Sequence, residues 1–125
     1  MHFLAWNVGH QTRRKRLPRE FASALGDMKP DVLVLTEYVA DDSHADFHNV
    51  LREHGLTYHL ATECVKGQNQ VLVASRRPLG RGPLACTDIS AATASNWLHV
   101  QISDVSVVGF RVPMFGTVPQ GRARY

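Results

Sequence analysis

The stretch Pro30-Asp31-Val32-Leu33-Val34-Leu35-Thr36-Glu37 decides the fold. Four consecutive apolar residues, Val32 to Leu35, run through Thr36 into a carboxylate. The run is too short for a globular helix and rich in branched side chains, so it reads as a strand buried on both faces. Pro30 marks its start: the residue before a proline avoids the helical region, and proline donates no hydrogen bond to a ladder. Burial on both faces is a feature of α/β sheets covered by helices. In such sheets ligands bind beyond the carboxyl ends of the strands. Glu37 stands at that end, so function turns on what the chain brings beside it.

Upstream, residues 2–8 (His-Phe-Leu-Ala-Trp-Asn-Val) form a first strand that Asn7 closes. A helix is expected from about Pro18 to Met28, with Phe21, Ala22, Leu25 and Met28 on one face and Pro18 suited to a first turn. Lys29-Pro30 ends it. A crossover of this length normally returns the chain parallel to the first strand. The carboxyl ends of both strands then share one sheet edge, and Asn7 and Glu37 become expected neighbours.

Downstream, a second helix is expected over Ser43 to His54, capped by Ser43, with Phe47, Val50 and Leu51 as its apolar face and Gly55 as its stop. Leu56 to Ala61 is a short strand, Lys66-Gly67-Gln68-Asn69 a turn, and Gln70 to Ser75 a better strand. Arg76-Arg77-Pro78-Leu79-Gly80 breaks the pattern. Trp97 to Ile102 and Val105 to Val112, around Ser103-Asp104, read as a hairpin.

A chain of 125 residues fits one domain with one core. Hydrophobic content of 44% and charged content of 20% fit a globular protein rather than a disordered one. The net charge of +3 favours an anionic partner. Much of the excess lies in Arg13-Arg14-Lys15-Arg16 and in Arg122 and Arg124, which serve either as solvated loop and tail or as phosphate contacts. Cys64 and Cys86 have no CxxC spacing and no signal peptide precedes them, so the expectation is reduced thiols in a cytoplasmic protein; a disulfide between them stays open. No apolar run approaches the roughly 20 residues of a membrane helix. His44 and His48 have the i, i+4 spacing that can bind metal on a helix, but without an HExxH pattern an exposed helix face is the simpler reading.

Asn7 and Glu37 at one sheet edge make a hard, oxygen-rich pair. It suits magnesium, which binds through one or two carboxylates and keeps waters and substrate oxygens for the rest. A metal there could polarise a phosphoryl oxygen. The alternatives are an asparagine that only makes a turn and a glutamate that only meets solvent.

Three segments now carry a resemblance. Phe3-Leu4-Ala5-Trp6-Asn7-Val8 resembles the opening strand of the endonuclease/exonuclease/phosphatase family. Pro30 to Glu37 is similar to that family's second motif, a Pro-Asp, an apolar run and a glutamate. Gln68-Asn69-Gln70-Val71-Leu72-Val73-Ala74-Ser75-Arg76-Arg77-Pro78-Leu79 resembles its third segment, an apolar strand ending in Ser-Arg/Lys-x-Pro-Leu/Ile. The resemblance covers residues 2–113 and implies an α/β fold: a mixed sheet with flanking helices, like the first half of a two-sheet α/β sandwich. It implies a metal-dependent phosphodiester or phosphomonoester hydrolase using Mg²⁺ or Mn²⁺ on DNA, RNA, nucleotides or lipid phosphates. By the matching positions, Glu37 and Asn7 are the expected catalytic and metal-binding residues, and Asn69 and Arg111 the expected substrate contacts. Arg111 departs from the histidine or aromatic residue common there, but it can still clamp a phosphate. Tyr38 and Phe115 are the aromatics placed to stack on a base, with packing the equal alternative for Tyr38.

The family's later motifs, Gly-Asp-x-Asn and Ser-Asp-His, are absent from the 125 residues. The expectation is therefore that residues 1–125 form an amino-terminal half, incomplete or inactive alone, with its inner sheet face uncovered. A second chain or a continuation would supply the rest. Two further readings stand beside this one: a non-catalytic nucleic-acid or nucleotide-binding α/β module, and an inactive product of a truncated gene.

Overall fold

The computed structural model describes residues 1–9, 19–40, 44–63, 67–84 and 94–112. The basic run 13–16, Arg122, Arg124, Cys64, Cys86, Phe115 and the Ser43 cap lie outside the described residues. In chain order the elements are β1 (Phe3–Asn7), α1 (Arg19–Met28), β2 (Val32–Tyr38), α2 (His44–Glu53), β3 (Tyr58–Ala61), β4 (Gln70–Ser75), β5 (Gly80–Arg81), β6 (Trp97–Ile102) and β7 (Val105–Phe110).

The apolar run of β2 lies inside a four-stranded sheet of order β1-β2-β4-β3. β1 pairs with β2 in parallel, with Phe3 opposite Val32 and Asn7 opposite Thr36. β4 runs antiparallel to both β2 and β3, which makes the sheet mixed. Alternation sends the two sides of β2 into different cores. Leu33 and Leu35 join a cluster with Phe21 and Leu25 of α1 and Phe47 and Leu51 of α2. The rings of Trp6, Phe21, Phe47 and Tyr38 follow one another through this layer at centroid spacings of 5.1, 5.1 and 5.2 Å. Lys29 (φ 45°) and Gly55 (φ 82°) leave the helical region just past the ends of α1 and α2, as the sequence predicts. Met28, expected on the apolar face of α1, is instead 44% exposed.

The opposite face of the sheet corrects the expectation of an uncovered side. A second sheet of order β5-β6-β7 lies on it. Val32, Val71 and Val73 pack there against Leu98, Val100 and Ile102. The hairpin predicted over residues 97–112 is therefore the start of the second layer, and only part of the first sheet lacks a partner. Among the described residues that part includes β1: on the face it shares with Val32, Phe3 is 46% exposed and Ala5 and Asn7 are exposed. The two-residue β5, within a stretch expected to be irregular, pairs Gly80 with Gln101 and Arg81 with Val100.

Candidate active site

β2 carries Glu37 through a local irregularity. Leu35 pairs with Leu72 and Tyr38 with Gln70, so three steps along β2 match two along β4. One extra residue has been inserted, a β-bulge, and Glu37 adopts φ 55° within it. Strict alternation would put Glu37 on the helix side with Leu33 and Leu35. The bulge turns Tyr38 to that side, against Phe47, and releases the carboxylate toward the second sheet. A non-glycine residue in the left-handed region costs of order 1–3 kcal/mol, and such strain tends to be kept at functional sites.

The released carboxylate meets Arg111, the residue after β7. Arg111 Nε donates to Glu37 Oε1 at 2.9 Å. Both side chains are largely shielded, at 21% and 18% exposed, so the ion pair is less screened than a surface one. The Arg111 backbone is held in turn by Asn96, whose carbonyl accepts its N–H at 2.9 Å. Sequence reasoning assigned Glu37 and Arg111 separately and did not foresee that they touch.

Asn7 ends β1 beside Thr36, one residue from Glu37. Its Oδ1 accepts the Gly9 N–H at 2.9 Å, which makes the turn reading of Asn7 correct as far as it goes. With Oδ1 engaged there, the carboxamide N–H groups are the part of Asn7 left to meet a ligand. An open groove of about 320 Å³ runs from Asn7 between β1 and β7, over Ala5, Val34, Thr36 and Gly109.

Asn69 precedes Gln70, the partner of Tyr38, and so lies at the same sheet end. Its Oδ1 is buried with no hydrogen-bond partner among the described residues. Gln70 and Thr62, which sequence reasoning missed, hold this end together. Gln70 Nε2 donates to the Thr62 carbonyl and its Oε1 accepts the Ala40 N–H, tying down the segment just past Glu37. Thr62 Oγ1 donates to the Ser95 carbonyl and accepts the Val71 N–H. A glutamine at the head of an otherwise apolar strand was the available signal, since a buried carboxamide must find partners.

The remaining motif residues work at the opposite end. Asp31 Oδ2 accepts the His2 N–H at 2.7 Å, and Arg76 Nε lies 3.6 Å from Asp31 Oδ1 and donates to the Pro30 carbonyl at 3.1 Å. The hydrogen bond from the His2 backbone, aided by the amino terminus and Arg76, holds the Asp31 carboxyl below its ordinary range. The Pro-Asp and Ser-Arg pairs thus lace the starts of β1 and β2 to the end of β4.

The structure therefore brings Asn7, Glu37, Asn69 and Arg111 to one end of the sheet. The donors suit a hard cation: a carboxylate on a bulge and a buried carboxamide oxygen with no partner among the described residues. They are a partial set, because among the described residues no three His, Cys, Asp or Glu side chains gather to hold a metal. Among those residues no helix is long and apolar enough to cross a membrane.

Comparison with known proteins follows the same lines. A solved structure of an AP endonuclease from Archaeoglobus fulgidus superposes with a TM-score of 0.58 at 18% identity. The match covers 89% of this chain and 39% of that one, so the chain spans well under half of that protein's length. No curated protein sequence matches significantly. The profile of the Endonuclease/Exonuclease/phosphatase family matches residues 4–120, nearly end to end, and the chain belongs to that family.

Proposed function

We propose that the chain provides the carboxylate side of a metal-dependent phosphoesterase of nuclease or phosphatase type. The observation that carries this is the bulge at Glu37, which holds a carboxylate out of the helix-side core at a sheet end with φ 55°. Glu37 would hold Mg²⁺ or Mn²⁺, and Asn69 adds an oxygen donor at the same end. The ion, when bound, supplies Lewis-acid polarisation of the phosphoryl oxygen. Arg111 shares its charge between Glu37 and an incoming phosphate, for which its planar fork is well shaped. Asn7 orients the phosphate through its carboxamide N–H groups. The groove along β1 admits the ester's organic part. The family's Gly-Asp-x-Asn and Ser-Asp-His motifs do not occur in the sequence, so on this reading a second polypeptide or further chain supplies the groups that activate water.

The test is binding of a thymidine dinucleotide with and without MgCl₂, for wild type and Glu37→Ala. Magnesium-dependent binding that Glu37→Ala abolishes supports the proposal. Binding that needs no magnesium and survives Glu37→Ala would replace it with a non-catalytic nucleic-acid-binding module.

A further inference from the structure

Phe110 ends β7 beside the Glu37–Arg111 pair and is 56% exposed. In the ladder it stands opposite Trp97, the first residue of β6. The two rings lie 5.8 Å apart between centroids, tilted by 32°. Alternation turns Gly109 toward Val34 and Val71 of the first sheet, so Phe110 faces away from that sheet with Trp97. Trp97 backs one side of the phenyl ring and leaves most of the rest to solvent.

A lone exposed phenylalanine is ordinary, and the neighbours distinguish this one. β7 is a free edge of its sheet, and the groove that holds Asn7 runs past Thr36 and Gly109 to Phe110. The next residue, Arg111, engages Glu37 through Nε, and its Nη amines have no partner among the described residues. An open guanidinium, a carboxamide N–H and an aromatic face thus meet at one strand end. Phosphate satisfies the first two. Only a ligand with a flat π-face uses the third, which sets a nucleobase apart from an acyl chain or a sugar.

Resting on the proposed function, we infer that the ester's organic part is an unpaired base of a single-stranded nucleic acid. The base stacks on Phe110 while its backbone phosphate lies at Arg111 and Asn7. Phe110 and Arg111 leave β7 on opposite faces, so the strand wraps the free edge of β7, as a flexible single strand can. A duplex is disfavoured, because its bases keep their faces inside their own stack. Trp97 is a positioning residue that holds the Phe110 ring and does not touch the base. Such a stack tolerates any base, since every base has a π-face.

The test is fluorescence anisotropy in MgCl₂ with a short single-stranded oligothymidylate and an abasic strand of equal length. Wild type, Phe110→Ala, Phe110→Trp and Glu37→Ala are compared. Wild type is expected to favour the base-bearing strand at least about fivefold, the worth of one stacked base. Phe110→Ala should erase that preference and keep the wild-type affinity for the abasic strand, while Phe110→Trp retains the preference. Equal affinities of wild type for the two strands, a preference that survives Phe110→Ala, or binding of neither strand overturns the proposal. A preference that Phe110→Ala abolishes supports the stacking platform even where binding needs no magnesium and survives Glu37→Ala; that result removes the phosphoesterase reading alone. Should Phe110→Ala fail to fold, a 2-aminopurine base in the strand decides on wild type: quenching on binding supports the platform, and unchanged fluorescence overturns it.

Discussion

At Glu37 a strained backbone carries a charged side chain, and substitutions can separate the two. Alanine and glycine both remove the carboxylate, but only glycine is at ease at φ 55°. Glu37→Gly is therefore expected to be about 1 kcal/mol more stable than Glu37→Ala in urea denaturation. Equal stabilities would mean the bulge is not formed. Asp31 makes a different kind of contribution. Its folded pKa is depressed, chiefly by the His2 N–H, so its stabilisation is complete above the ordinary aspartate range near pH 4. That stabilisation fades as pH falls through the lower folded value. The stability gap between wild type and Asp31→Asn should thus be constant from pH 7 to pH 5 and close at still lower pH. A gap independent of pH down to 2 would remove the carboxylate's role.

Between the two layers, a single small residue sets the approach of β7 to the first sheet. A methyl added at Gly109 would lie 2.8 Å from Val71 Cγ1 and 2.9 Å from Val34 Cγ1. Both neighbours are β-branched and stiff, so the hairpin rather than the valines must give way. Gly109→Ala is expected to cost about 1–3 kcal/mol, read as a lower urea midpoint with an unchanged slope. The same shift would move Arg111, two residues on, and weaken its pair with Glu37. Elements of this kind differ in how openly the sequence declares them. The apolar runs of β2 and β4 and the paired runs of β6 and β7 were legible, because burial on both faces or alternation around a two-residue turn leaves a pattern. β5 has only two residues and exists because β6 offers it a free edge. The bulge was illegible for a related reason: within β2 nothing distinguishes one extra residue until β4 is laid beside it.

Across the whole molecule, the chain is a two-layer sandwich with helices behind its first sheet, consistent with its family. The sequence was enough to place Asn7 and Glu37 together, since a parallel strand–helix–strand unit aligns carboxyl ends. It was not enough to show that the hairpin folds back over Val32, Val71 and Val73, and so the first sheet was expected to lie bare. The Glu37–Arg111 pair depends on that same fold-back, linking residues 74 positions apart, and no local pattern encodes it. The central claim is that this pair marks a site for a divalent cation. Its most direct test is titration of isotope-labelled protein with MnCl₂, following paramagnetic broadening of backbone amides. The account predicts broadening centred on Asn7, Glu37 and Asn69 that is competed by MgCl₂ and lost in Glu37→Ala. Broadening centred elsewhere, or unchanged in Glu37→Ala, would contradict it.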